Sequence, residues 1–168
     1  MTPRILVALD AEAPAAEAEQ LALTFARATG AELVLGTVFP IVGLHSRVHA
    51  RRYERLLREE AERFLAERAD ALRAHGGGEV TIATRAVGSC SAGRGLHRLA
   101  RQERAGLVVL GPSRRSRAGR VLPGPMAGRL AHDAPCPVAV ASAGYEAGEL
   151  SRIAVPDRSG LRADRRRP

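Results

Sequence analysis

Three stretches of the chain hold residues whose types and spacing could do chemistry. The first opens with the apolar run Leu107-Val108-Val109-Leu110 and reaches Gly111. It continues through a loop rich in Arg, Gly and Pro to Gly124 and Pro125, then a short helical segment and a second apolar run, Val138-Ala139-Val140-Ala141. A strand that ends in glycine and feeds a helix leaves backbone N–H groups pointing into the gap, which is how α/β proteins hold phosphate. Arg114, Arg115, Arg117 and Arg120 add forked, charge-assisted donors to the same loop. The second stretch is centred on Asp10, a carboxylate between an apolar run and a helical pattern, where it either meets a ligand or caps the helix. The third is Gly88-Ser89-Cys90-Ser91-Ala92, the strand-to-helix context of a nucleophile elbow, with His132-Asp133 as its base and orienter. That reading needs a strained turn and an exposed thiol. It departs from the elbow pattern at Ala92, and neighbouring His and Asp on a helix do not point at one another, so a Cys90-based hydrolase is the least favoured of the three chemistries and no catalytic residue is assigned.

Composition removes several enzyme classes. All 26 basic residues are Arg. Without lysine there is no Walker-type phosphate lysine, no Schiff base and no kinase strand lysine. Cys90 and Cys136 lie far apart without Cys-x-x-Cys spacing and the five histidines are scattered, so neither a metal site nor a disulfide framework is legible. A reducing cytoplasm is the expected compartment. The first apolar run starts a few residues in and ends at Asp10, which fits neither a signal peptide nor a membrane span.

The net charge of +8 raises the question of nucleic acid. Part of it sits in residues 143–168, where Arg158, Arg162, Arg165, Arg166 and Arg167 face only Asp157 and Asp164, the composition of a flexible tail. No aromatic residues interleave with the loop or tail arginines to stack on bases. The binding expected from them is weak, independent of sequence and sensitive to salt.

The elements that must position these residues follow from apolar patterning. Residues 5–9, 32–38 and 107–110 and the run from Val138 read as strands, three of them compact runs without alternation, as in parallel strands buried on both faces. Residues 80–87 are more weakly patterned, which suits an edge. Residues 14–29 read as a helix stopped by Gly30, with Glu17 and Glu19 at its positive end. Phe39-Pro40 is expected to break the second strand. A long helix over residues 50–75 places Tyr53, Leu57, Phe64, Leu65 and Leu72 on one side, with Glu54–Arg58 and Glu59–Arg63 pairs on another. Gly88 to Gly95 reads as a glycine-rich turn before a helix carrying Leu96 and Leu99. The sum is five strands and four helices in strict alternation, an α/β fold with a five-stranded parallel sheet covered on both faces. Residues 1–142 form the domain.

At this point the chain resembles the universal stress protein family over about residues 3–142. The likeness rests on RILVALD at the start, AGLVVLG before the loop, and the helix-to-strand junction HDAPCPVAVA. The resemblance implies a Rossmann-like domain that binds ATP or another adenine nucleotide, acts in stress response without turnover, and forms a homodimer through the last strand, Val138-Ala139-Val140-Ala141. It also implies that Asp10 and Val38 meet the adenosine side. The family's ATP-binding members carry glycine, two residues, glycine, nine residues, glycine and then serine or threonine. Here those positions are Gly111, Arg114, Gly124 and Pro125, so two of the four depart. Arg114 places a bulky side chain where backbone should approach phosphate, and Pro125 removes a hydroxyl and an N–H. Arg114 and Arg115 could in turn supply phosphate donors of their own. Weakened nucleotide binding, or a dimeric interaction module that has lost it, are the two outcomes left open.

Overall fold

The computed structural model describes residues 2–11, 16–41, 47–113, 128, 130, 132 and 134–146. Five strands form one all-parallel sheet: β1 (Arg4–Ala8), β2 (Glu32–Pro40), β3 (Ile82–Ser89), β4 (Leu107–Leu110) and β5 (Val138–Val140). Their order across the sheet is β3-β2-β1-β4-β5. The weakly patterned β3 therefore takes an edge, as its sequence implies. The helices are α1 (Ala16–Thr29), α2 (Arg47–Ala74) and α3 (Ala92–Gln102), with Gly128, Leu130 and His132 in helical conformation between β4 and β5.

Each central strand feeds both faces of the sheet, because successive side chains point to opposite sides. Ile5 and Val7 of β1, Leu33 and Leu35 of β2 and Val109 of β4 pack with Leu21, Leu65 and other residues of α1 and α2. Leu6, Val34 and Val108 pack on the opposite face with Leu96 and Leu99 of α3 and with Leu130. Two-sided burial is why these strands read as unbroken apolar runs.

Gly30 ends α1 with φ 67°, and the Ala31 N–H donates to the Ala26 carbonyl at 3.1 Å, closing the last turn. Glu19 lies in the first turn of α1, as expected, and it has a second role. It is buried and accepts two hydrogen bonds from the Arg68 guanidinium, one of 2.8 Å, which ties α1 to α2. That pairing raises the Arg68 pKa further above its ordinary range. Glu103, after α3, is also buried and bridges Arg4 of β1 (3.0 Å) and Arg85 of β3 (2.7 Å), while Arg4 reaches Glu32 of β2 (2.9 Å).

Three expectations change. The helix after β3 begins at Ala92, so Gly93 and Gly95 lie inside it. Gly95 is there because α3 approaches β2 closely: a Cβ on it would lie 2.7 and 2.8 Å from the Val38 methyls. Tyr53 is 46% exposed, because the apolar burial of α2 begins further along the helix, at Leu65, Ala69 and Leu72. Of the two charge pairs foreseen on α2, Glu54–Arg58 forms at 3.5 Å, whereas Glu59–Arg63 is absent among the described ion pairs. Packed structure reaches Tyr145, which is buried against the α1 face, and the Gly144 N–H donates to Glu17. The arginines of the tail lie outside the described residues.

Candidate functional site

The strand order reverses between β1 and β4, since β1 leads outward to β2 on one side and β4 leads to β5 on the other. Open α/β sheets form their ligand crevice at the carboxyl ends of the strands beside such a switch. Here a cavity of about 370 Å³ lies at the ends of β1 and β2, within the size range of small-molecule sites. Asp10, Thr37, Val38 and Phe39 line it from the strands, with Glu60 and Phe64 of α2 and Ala92 of α3 closing the sides.

Two hydrogen bonds fix its mouth. The Leu9 N–H donates to the Gly36 carbonyl at 2.8 Å, and the Thr37 hydroxyl donates to the Leu9 carbonyl at 2.9 Å. β1 stops near this point while β2 continues, paired with β3, to Pro40.

The direction of the β2 backbone groups can be read from its partners, because the N–H and C=O of one residue point to the same side and alternate along a strand. Glu32 N–H donates toward β1, to Pro3, whereas Leu33 N–H and Ile41 N–H donate toward β3, to Thr81 and Ser89. Val38, in step with Glu32, therefore aims its N–H and C=O past the end of β1, at the cavity. Pro40 has the same parity. Its missing N–H falls where no strand remains to receive it, and this corrects the expectation that Phe39-Pro40 breaks β2: the strand runs through both, in register with Gly88 and Ser89. The Arg58 guanidinium lies 5.3 Å from the centre of the Phe39 ring and steadies that wall.

Asp10 is exposed at the cavity. The described part of α1 starts at Ala16, and residues 12–15, between it and Asp10, lie outside the described residues. The described charges on the cavity, Asp10 and Glu60, are both acidic. Such a lining suits the base and ribose of a nucleotide and repels its phosphates.

Gly111 follows β4 directly and is half-buried, one residue beyond the Ala8–Leu110 pair, so it stands at the end of the strand beside β1. Arg114, Arg115, Gly124 and Pro125 lie outside the described residues. Two of the expected contacts, Asp10 and Val38, are thus brought together in one cavity, with Gly111 at the end of the neighbouring strand. Glu60, Phe64 and Ala92 were not anticipated. The spacing of Glu60 and Phe64 on α2, i and i+4, was the available signal.

The elbow geometry is not formed. Cys90 is exposed, yet among the described residues other than glycine only Arg104 has a positive φ (50°), so Cys90 lacks the strained backbone that such a nucleophile needs. Cys136 lies in the Ala134-Pro135-Cys136-Pro137 junction before β5, and partial burial raises its thiol pKa. Among the described residues no three His, Cys, Asp or Glu side chains converge as metal ligands, and no helix is long and apolar enough to cross a membrane.

The model of the universal stress protein family matches residues 1–142. No curated protein matches the chain. A universal stress family protein from Burkholderia pseudomallei is 30% identical, with 83% of this chain and 96% of that one aligned at a TM-score of 0.62. A universal stress protein solved in complex with cAMP aligns at 22% identity over 84% of this chain and 97% of its own, with a TM-score of 0.58. The Archaeoglobus fulgidus protein solved in complex with dAMP aligns at 16% identity over 84% and 98%, with a TM-score of 0.57. These last two share the fold. With residues 1–142 matched to the family model and a 30%-identical structure covered almost end to end, the chain belongs to the universal stress protein family.

Proposed function

We propose that this domain is a stress-response regulator that holds an adenine nucleotide without turning it over. Adenosine occupies the cavity between β1, β2 and α2, and phosphate lies toward Gly111. The observation that carries this reading is the pairing of Asp10 with the outward-facing backbone of Val38 on the lining of one cavity, an acceptor and a donor–acceptor pair. A neighbour solved with cAMP and another with dAMP support the ligand class.

Asp10 accepts hydrogen bonds from ribose and Val38 reads the edge of the base. Gly111, Gly124 and the loop arginines Arg114 and Arg115 hold phosphate, while Pro125 offers no hydroxyl there. Two copies pair through β5, whose outer edge has no strand beside it among the described residues. The compartment is the cytoplasm, and the arginine-rich arm foreseen from residue 143 follows a domain whose packing extends to Tyr145. The departures at Arg114 and Pro125 favour a second reading, in which the same dimer serves as a protein-interaction module with little affinity for nucleotide.

Calorimetry with AMP, ADP, ATP and cAMP tests the first reading. The expected result is saturable binding that Asp10→Ala weakens by about tenfold, the loss of one hydrogen bond to a charged acceptor. Absence of binding to all four at millimolar concentration leaves the interaction module.

A further inference from the structure

A larger cavity, about 800 Å³, lies on the other side of α3 from the adenosine pocket, between that helix and the helical segment before β5. α3 is the shared wall: Ala92 and Leu96 face the first cavity, while Ser91, Gly93, Arg94 and His97 line the second, opposite Leu130 and His132. Ser91, Arg94 and His97 recur every three residues, which puts them on one face of the helix.

The two cavities differ in charge. The adenosine pocket is lined by Asp10 and Glu60 and by no described base, whereas the second is lined by Arg94, His97 and His132 and by no described acid. Arg4, Arg58, Arg68, Arg73 and Arg85 each have a carboxylate partner, but no ion pair among the described residues involves Arg94. The Arg94 guanidinium offers a planar fork of donors to an oxyanion and the His97 imidazole offers an N–H, so the pair matches a phosphate group. The volume exceeds that of phosphate alone and leaves room for an organic remainder. We infer that this α3 cleft is a second site, which takes a small phosphate-bearing molecule through Arg94 and His97. Among the described residues it shares no lining residue with the adenosine cavity.

The test is an NMR titration of the full-length, ¹⁵N-labelled protein with inorganic pyrophosphate, with and without saturating AMP. Saturable shifts of the Gly93, Arg94 and His97 amides are expected in both series. Arg94→Glu should weaken the apparent affinity at least about tenfold, by exchanging attraction for repulsion. His97→Gln should weaken it less, and circular dichroism of both variants checks that the fold is kept. Shifts confined to Asp10 and Gly111, shifts abolished by AMP, or equal affinity in folded Arg94→Glu would overturn the site. If AMP fails to bind while pyrophosphate still moves the α3 amides, the nucleotide reading falls and this one stands.

Discussion

Substituting Gly95 by alanine should destabilise the domain and disturb its ligand pocket at once. An added Cβ would sit 2.7 and 2.8 Å from the two Val38 methyls and 3.1 Å from the Ser89 Cβ, about 1 Å inside the contact distance of roughly 3.5–4.0 Å. Val38 is held by β2 and cannot swing away as the end of a long side chain would. Overpacking of this kind costs about 1–3 kcal/mol, and replacing glycine by alanine within a helix returns up to about 1 kcal/mol. With the full propensity gain subtracted the net loss is up to about 2 kcal/mol, a fall in Tm of up to about 8 °C for a domain of this size. Gly93→Ala is the internal control. It lies in the same helix, the nearest atom to its Cβ would be the Ser91 hydroxyl at 4.0 Å, and only the propensity gain remains. Calorimetric melting of the two variants, followed by AMP titration, should give a lower Tm and weaker binding for Gly95→Ala and an unchanged or higher Tm for Gly93→Ala. Equal Tm values for the two would refute the packing argument.

Arg68→Ala should cost about 2–3 kcal/mol in urea unfolding, since Glu19 would stay buried without its partner, and the one-third exposure of the Arg68 side chain moderates the loss. Arg68→Lys should recover only part of this, lacking the fork that grips both carboxylate oxygens. Iodoacetamide should label exposed Cys90 well before Cys136, as peptide mapping would show. The raised Cys136 pKa means that the folded state keeps a thiol which the unfolded chain ionises. This contribution to stability is therefore intact below the ordinary cysteine pKa of about 8.5 and lost as pH rises above it. A Cys136→Ala variant should show a flatter fall in stability over that alkaline range.

Strand identity and the two-sided sheet were legible because burial on both faces leaves a continuous apolar signature in β1, β2 and β4. Gly30 was legible because a helix stop has a local cause. What escaped the sequence were features set by partners distant along the chain. Glu19 reads only as a dipole-favoured acid until Arg68, far away in α2, is brought against it. Gly93 and Gly95 read as turn residues because nothing nearby in sequence reveals that α3 must press against Val38. Pro40 reads as a breaker until the early end of β1 shows that its missing donor has nowhere to point. In the pocket, Asp10 and Val38 came from resemblance and position, whereas Glu60 is contributed by a helix whose rotation about its axis is fixed only by packing.

The bridge that Glu103 makes between Arg4 and Arg85 sits where α3 ends, while Ser91 and the ligand-facing residues sit where it begins. One helix is thus clamped to the sheet at one end and borders both cavities at the other. The outward positions Gly93 and Arg94 can therefore change without unseating α3, provided Gly95 is kept. The same frame can in this way carry different ligand chemistry, and exchanging Gly93 and Arg94 for other residues while keeping Gly95 and Leu96 should leave the fold intact and change what the second cavity takes.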